Sequence, residues 1–94
     1  MNEIIWSDLA YLTFTDIAEY LTKNVSIDAA IKFNDEVESL VEKLQSFSHL
    51  CKPDPRRPKL RECTVNKFTS MTYRVDGNKI HIITFFDNRG LHPF

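Results

Sequence analysis

The residues best suited to chemistry are cations and imidazoles in the second half of the chain. Arg61, Arg74, His81, Arg89 and His92 fall on or just beyond segments that read as strands. Cations on a sheet with aromatics nearby grip nucleic-acid phosphates and stack bases. Arg89 follows the last strand, flanked by Asn88 and Gly90, where loops held by a rigid sheet carry function. The competing reading is structural: Arg89 pairs with Asp87 or Glu62, and each other cation is a solvated charge with at most one partner. No nucleophile stands out. Cys51 or Cys63 with His49 or His81 would make a Cys–His dyad, but no spacing selects a pair, and both cysteines read as free thiols. They lack a CxxC pattern and a histidine at zinc spacing, so no metal site is expected. Two glycines, Gly77 and Gly90, are too few for a phosphate-cradling loop, and no cofactor is expected.

Charge separates the chain into two halves. Residues 1–47 hold nine acids against Lys23, Lys32 and Lys43, while residues 48–94 hold nine lysines and arginines against Asp54, Glu62, Asp76 and Asp87. The pattern is a basic working half on an acidic support, with a net charge of −1 overall. No stretch approaches the roughly 20 apolar residues of a membrane span, and the opening residues carry Glu3 and Asp8 without a signal-peptide core. With two thiols read as reduced, a cytoplasmic protein without membrane association is expected.

These side chains need elements to position them, and 94 residues fit one domain, expected over 1–94. Glu3 to Trp6 is a short apolar run, a first strand ended by Ser7, with Trp6 a core residue. Ser7 caps a helix in which Ala10, Phe14, Ile17 and Leu21 recur at helical spacing, and Asn24 is expected to end it in a left-handed conformation. Ser26 caps a longer helix over Ile27–Phe47, where Ala30, Phe33, Val37, Leu40, Val41, Leu44 and Phe47 form one stripe. The short connection makes the two helices an antiparallel hairpin. Leu9, Tyr11, Leu12 and Tyr20 lie off the first stripe, more apolar surface than a monomer's core needs, and are the expected cover site for a partner segment that folds on contact.

Pro53, Pro55 and Pro58 stop any helix and force an extended crossing. Strands follow over Leu60–Val65, Phe68–Asp76 and Lys79–Asp87, the last two joined by a type II′ turn at Gly77-Asn78. That turn pairs Val75 with Ile80, Tyr73 with Ile82 and Met71 with Thr84 on a helix-covered face. The other face then carries Arg74 opposite His81, Thr72 opposite Ile83, Ser70 opposite Phe85 and Phe68 opposite Asp87, a mixture suited to binding.

In this order the pieces resemble the RelE/ParE family of bacterial toxin–antitoxin toxins. The matching residues are Trp6-Ser7 with Ala10, Ala29-Ala30, Arg61-Glu62, Tyr73-Arg74-Val75, and the ending from Phe86-Asp87 through Arg89 to His92-Pro93. The fold so implied is α+β: a short N-terminal strand and a two-helix antiparallel hairpin on one face of a small antiparallel sheet of about four strands. The resemblance implies the toxin of a type II plasmid-stabilisation system that inhibits growth, with a cognate antitoxin as partner and a homodimer or a heterotetramer with antitoxin as its assembly. The ribonuclease branch uses a basic cluster with a His or Tyr near the C-terminus, whereas Phe85-Phe86-Asp87 stands here, so the ending looks closer to the ParE branch, which poisons DNA gyrase by binding. Arg61, Arg74 and Arg89 are then the target contacts, and no catalysis is required. The alternatives are a ribosome-dependent endoribonuclease, with Arg61 and Arg74 on phosphate and His81 or His92 as acid or base, and an inactive relative retained as a binding module.

Overall fold

Two serine hydroxyls start the two helices. Ser7 Oγ accepts the Ala10 amide at 2.9 Å and Ser26 Oγ accepts the Ala29 amide at 3.0 Å, each satisfying a donor that a helix N-terminus leaves unpaired. The computed structural model describes residues 1–88, which form β1 (Glu3–Trp6), α1 (Asp8–Asn24), α2 (Ile27–Ser46), β2 (Lys52–Asp54), β3 (Arg57–Thr64), β4 (Thr69–Asp76) and β5 (Lys79–Asp87). Arg89 and His92, two of the expected site residues, lie outside the described residues. Asn24 does not end α1 in a left-handed conformation, since no described residue other than glycine has positive φ; its side chain instead donates to the Tyr20 carbonyl at 3.1 Å.

The helices pack against a mixed five-stranded sheet of order β1-β5-β4-β3-β2. The fold is α+β as expected, with two differences. The first strand runs parallel to the last, Ile4 beside Ile80 and Trp6 beside Ile82. The fifth strand is the proline-containing segment itself: β2 pairs antiparallel with β3, Lys52 opposite Glu62 and Pro53 opposite Arg61. An edge strand tolerates proline because one side of its backbone needs no partner.

Gly77 has φ +59° and Asn78 is not in the positive region, the pattern of the type II′ turn. Its register holds from Asp76–Lys79 to Tyr73–Ile82 and then slips. Thr72 pairs with Thr84, leaving Ile83 as the extra residue of a β-bulge, so Met71 faces Phe85 and Ser70 faces Phe86. The expected pairs beyond Tyr73 are therefore displaced by one. Phe85, expected on the open face, turns into the core and is fully buried. Phe68 is not opposite Asp87, where Thr69 stands; it precedes β4 and is partly exposed.

The core lies between the hairpin and this sheet. Phe33, Val37 and Leu44 of α2 and Ala10 and Ile17 of α1 meet Met71, Tyr73, Ile80, Ile82 and Phe85. Phe14 stacks on Phe33 at 5.1 Å and meets Phe85 edge-on at 5.7 Å, while Trp6 lies 5.4 Å from Phe85, a core position as expected. Phe47, expected at the end of the α2 stripe, caps the helix and is 63% exposed. Helical periodicity ends with the helix, and the cap turns its side chain out.

Candidate functional site

The site begins where α2 gives way to β2. The intervening segment carries Ser48, His49 and Cys51, and a buried phenol fixes it. Tyr73 Oη donates to the Ser48 carbonyl at 2.9 Å and accepts the Cys51 amide at 3.2 Å. Burial pushes the Tyr73 phenol above its usual pKa, against the smaller opposing effects of the Cys51 hydrogen bond and the Arg61 charge. It is protonated at neutral pH and serves as donor and acceptor at once.

Cys51 and Cys63 form a disulfide, with Cα atoms 5.2 Å apart. This overturns the reading of both as free thiols and removes the Cys–His dyad and the inference of a reducing compartment that rested on them. The cause is sheet pairing: the register that sets Lys52 opposite Glu62 carries Cys51 opposite Cys63 one step further along. The Cys51 carbonyl in turn accepts Arg61 Nη1 at 2.7 Å. The amide, the carbonyl and the sulfur of Cys51 are each held by a different strand residue.

Arg61 stands opposite Tyr73 across β3 and β4, whereas Arg74 alternates to the other side of the sheet, opposite His81. At the end of the sheet the two arginines nonetheless line one cleft of about 280 Å³, with His49, Pro58, Lys59 and Val75. Three basic side chains and a histidine thus converge without a carboxylate in the lining, and such a concavity concentrates anions. His49 and Lys59 were not singled out from the sequence as cleft residues. Lys59 had a signal in its two-residue spacing from Arg61, which puts both on one side of β3; His49 had none, since its position depends on Tyr73. His49 Nδ1 lies 3.0 Å from Ser48 Oγ.

His81 does not line this cleft. Its Nε2 is buried, makes no hydrogen bond and lies 4.0 Å from Asp76 Oδ2. Among the described residues, no group of three or more His, Cys, Asp or Glu comes together to hold a metal ion, and no helix is long and apolar enough to cross a membrane.

The residues expected to meet a partner segment fall in separate places. Leu9, Tyr11 and Leu12 are 47%, 60% and 58% exposed. Tyr11 lines a groove of about 530 Å³ with Trp6, Phe14, Val37 and Val41, bordered by Glu38 and Glu42 of α2. Tyr20 is only half-exposed and lines a small cavity of about 50 Å³ with Leu21, Phe68 and Asp87. The groove thus combines the aromatic rings of Trp6, Tyr11 and Phe14 with the carboxylates of Glu38 and Glu42.

Comparison with known proteins places the chain in a family. The family model described as the ParE toxin of the type II toxin–antitoxin system, parDE, matches residues 4–90. A chain of the chromosomal ParDE system from P. aeruginosa superposes with a TM-score of 0.77 at 21% identity, covering 93% of this chain and 96% of that one. The YoeB/ParE toxin from Agrobacterium tumefaciens gives a TM-score of 0.65 at 11% identity, covering 92% and 98%. YafQ from E. coli strain BL21(DE3) gives 0.63 at 10% identity, covering 99% and 100%. No curated protein sequence matches the chain.

Proposed function

The chain belongs to the ParE toxin family of type II toxin–antitoxin systems, and on that premise we propose that it inhibits growth by binding a macromolecular target, DNA gyrase, through the cleft of Arg61 and Arg74. The observation that carries this reading is the convergence of His49, Lys59, Arg61 and Arg74 on one concavity. Guanidinium groups provide bidentate recognition of carboxylate or phosphate on the target, and Arg89 adds a third contact. A cognate antitoxin covers the apolar surface of α1: a segment that folds on contact seats an apolar face on Tyr11 and its groove, and its basic residues meet Glu38 and Glu42. Two related folds are known in complexes of this kind, YoeB with YefM and DinJ with YafQ. The toxin acts in the cytoplasm, and the pair of proteins stabilises the replicon that encodes them.

The experiment is expression of the chain with and without its antitoxin, followed by addition of purified protein to a gyrase supercoiling assay. Inhibition of both growth and supercoiling, relieved by antitoxin, supports the reading. Growth inhibition with normal supercoiling contradicts gyrase as target.

His49 favours a second reading. An imidazole in a cleft with three cations is the composition of a ribonuclease site, with the arginines on phosphate and His49 transferring a proton. Cleavage of mRNA on translating ribosomes, lost in His49→Gln, would establish it over the first.

A further inference from the structure

The disulfide and the cleft share an atom chain. Arg61 reaches the cleft while its Nη1 is bonded to the Cys51 carbonyl at 2.7 Å, and Cys51 is covalently tied to Cys63, which is buried in β3. His49, also in the cleft lining, is two residues from Cys51 on the same segment. The covalent bond therefore restrains two cleft residues, one through a carbonyl and one through the backbone. Besides the backbone that runs on into β2, the disulfide is the covalent tie described between the sheet and this segment; the hydrogen bonds that join them are those of Tyr73 Oη and Arg61 Nη1.

We propose that the Cys51–Cys63 pair is a redox switch on the cleft: oxidised, it holds Arg61 and His49 in the binding arrangement; reduced, it releases them and weakens binding. This inference rests on the reading of the cleft as the target-binding site. Access favours the chemistry, because Cys51 is only partly buried whereas Cys63 is 1% exposed. The reductant is a dithiol. One of its thiolates attacks Cys51 Sγ, the Cys51–Cys63 bond breaks, and Cys63 leaves as a thiolate that takes up a proton. The second thiol of the reductant then displaces Cys51 from the mixed disulfide. The protein ends with two thiols and the reductant with one disulfide, a transfer of two electrons and two protons. Binding weakens because the free chain must then fix the segment and the Arg61 side chain at the moment of contact, an ordering cost that the bridge has already met. The reduced domain keeps its fold, since Cys63 and Cys51 remain in place as apolar thiols beside Phe33, Val37, Leu44, Tyr73, Ile82 and Phe85, which make up most of the core.

The test uses the purified full chain with pyrophosphate as the anionic probe, titrated by NMR before and after dithiothreitol, with thiols counted in each state. The expected result is two free thiols after treatment, a retained native spectrum, and pyrophosphate bound about tenfold more weakly with a smaller response at Arg61. The Cys51→Ser/Cys63→Ala double variant should bind at the weaker level with or without dithiothreitol. Equal affinity in the two wild-type states would overturn the inference alone. So would a bridge that dithiothreitol cannot open in the folded chain, or a native spectrum lost on reduction, because the bond would then be a structural staple. Pyrophosphate bound in neither state would overturn the cleft reading together with the switch.

Discussion

The Thr13 hydroxyl accepts the backbone amide of Phe85 at 3.0 Å, 72 residues away in sequence, while donating to the Leu9 carbonyl at 2.8 Å. It completes a handover along β5. β1 pairs with that strand only as far as Ile82; Ser7 then bonds the Ile82 carbonyl through its amide and the Ile83 carbonyl through its hydroxyl, and Thr13 takes Phe85. The opening of α1 thus serves as the missing length of the neighbouring strand beside the bulge, where backbone groups would otherwise be buried without partners.

Thr13→Val keeps the shape and removes the acceptor, leaving the Phe85 amide unsatisfied in the core. It should cost about 1–3 kcal/mol in urea denaturation, and Thr13→Ser should recover most of that. Equal midpoints for Val and wild type would show that water reaches the amide.

Phe33 is buried between Phe14 and Phe85. Phe33→Ala should lower stability by about 3–5 kcal/mol, a large part of a typical total of about 5–15 kcal/mol. A wild-type urea midpoint would mean that the α2 stripe does not face the sheet.

Tyr73 makes stability sensitive to alkaline pH. Its phenol titrates higher in the folded chain than in the unfolded one, so the fold holds the proton more tightly. The associated stability is complete below the unfolded value of about 10 and is lost as pH rises through the folded value. Tyr73→Phe should be less stable at neutral pH, through loss of the links to Ser48 and Cys51, and should lose this alkaline component. Denaturation midpoints between neutral pH and the alkaline limit check both; parallel curves for the two proteins would contradict the assignment.

Arg89→Lys should leave the melting temperature within a degree or two, following the small stability of exposed pairs, yet abolish growth inhibition in cells without antitoxin, because lysine lacks the planar fork. Full toxicity of a folded Arg89→Ala variant would leave Arg61 and Arg74 as the contacts.

The parts of this fold legible in the sequence are those set by local physics. Ser7 and Ser26 declare helix starts through their hydroxyls, the α2 stripe declares its buried face, and Gly77 declares the turn. The parts missed depend on neighbours distant in the chain. Nothing near Ile83 signals a bulge, because Ser7 and Thr13 stabilise it from the other end of the protein. Proline hid β2, whose partner is Arg57–Thr64. A spacing of twelve residues says nothing about the approach of Cys51 to Cys63 until β2 and β3 are in register. Of the cleft, Arg61 and Arg74 were legible by type and position, while their meeting with His49 required Tyr73 to draw in the segment after α2.

The most direct test of the account is gyrase supercoiling inhibited by the purified oxidised chain, compared with Arg74→Ala. Arg74 suits this comparison because, unlike Arg61, it has no described bond to the segment after α2. The account predicts inhibition by wild type and a loss of at least about tenfold in the variant, equivalent to one charge-assisted contact of about 1.4 kcal/mol, with melting unchanged. Undiminished inhibition by a folded Arg74→Ala protein would contradict the claim that this cleft meets the target.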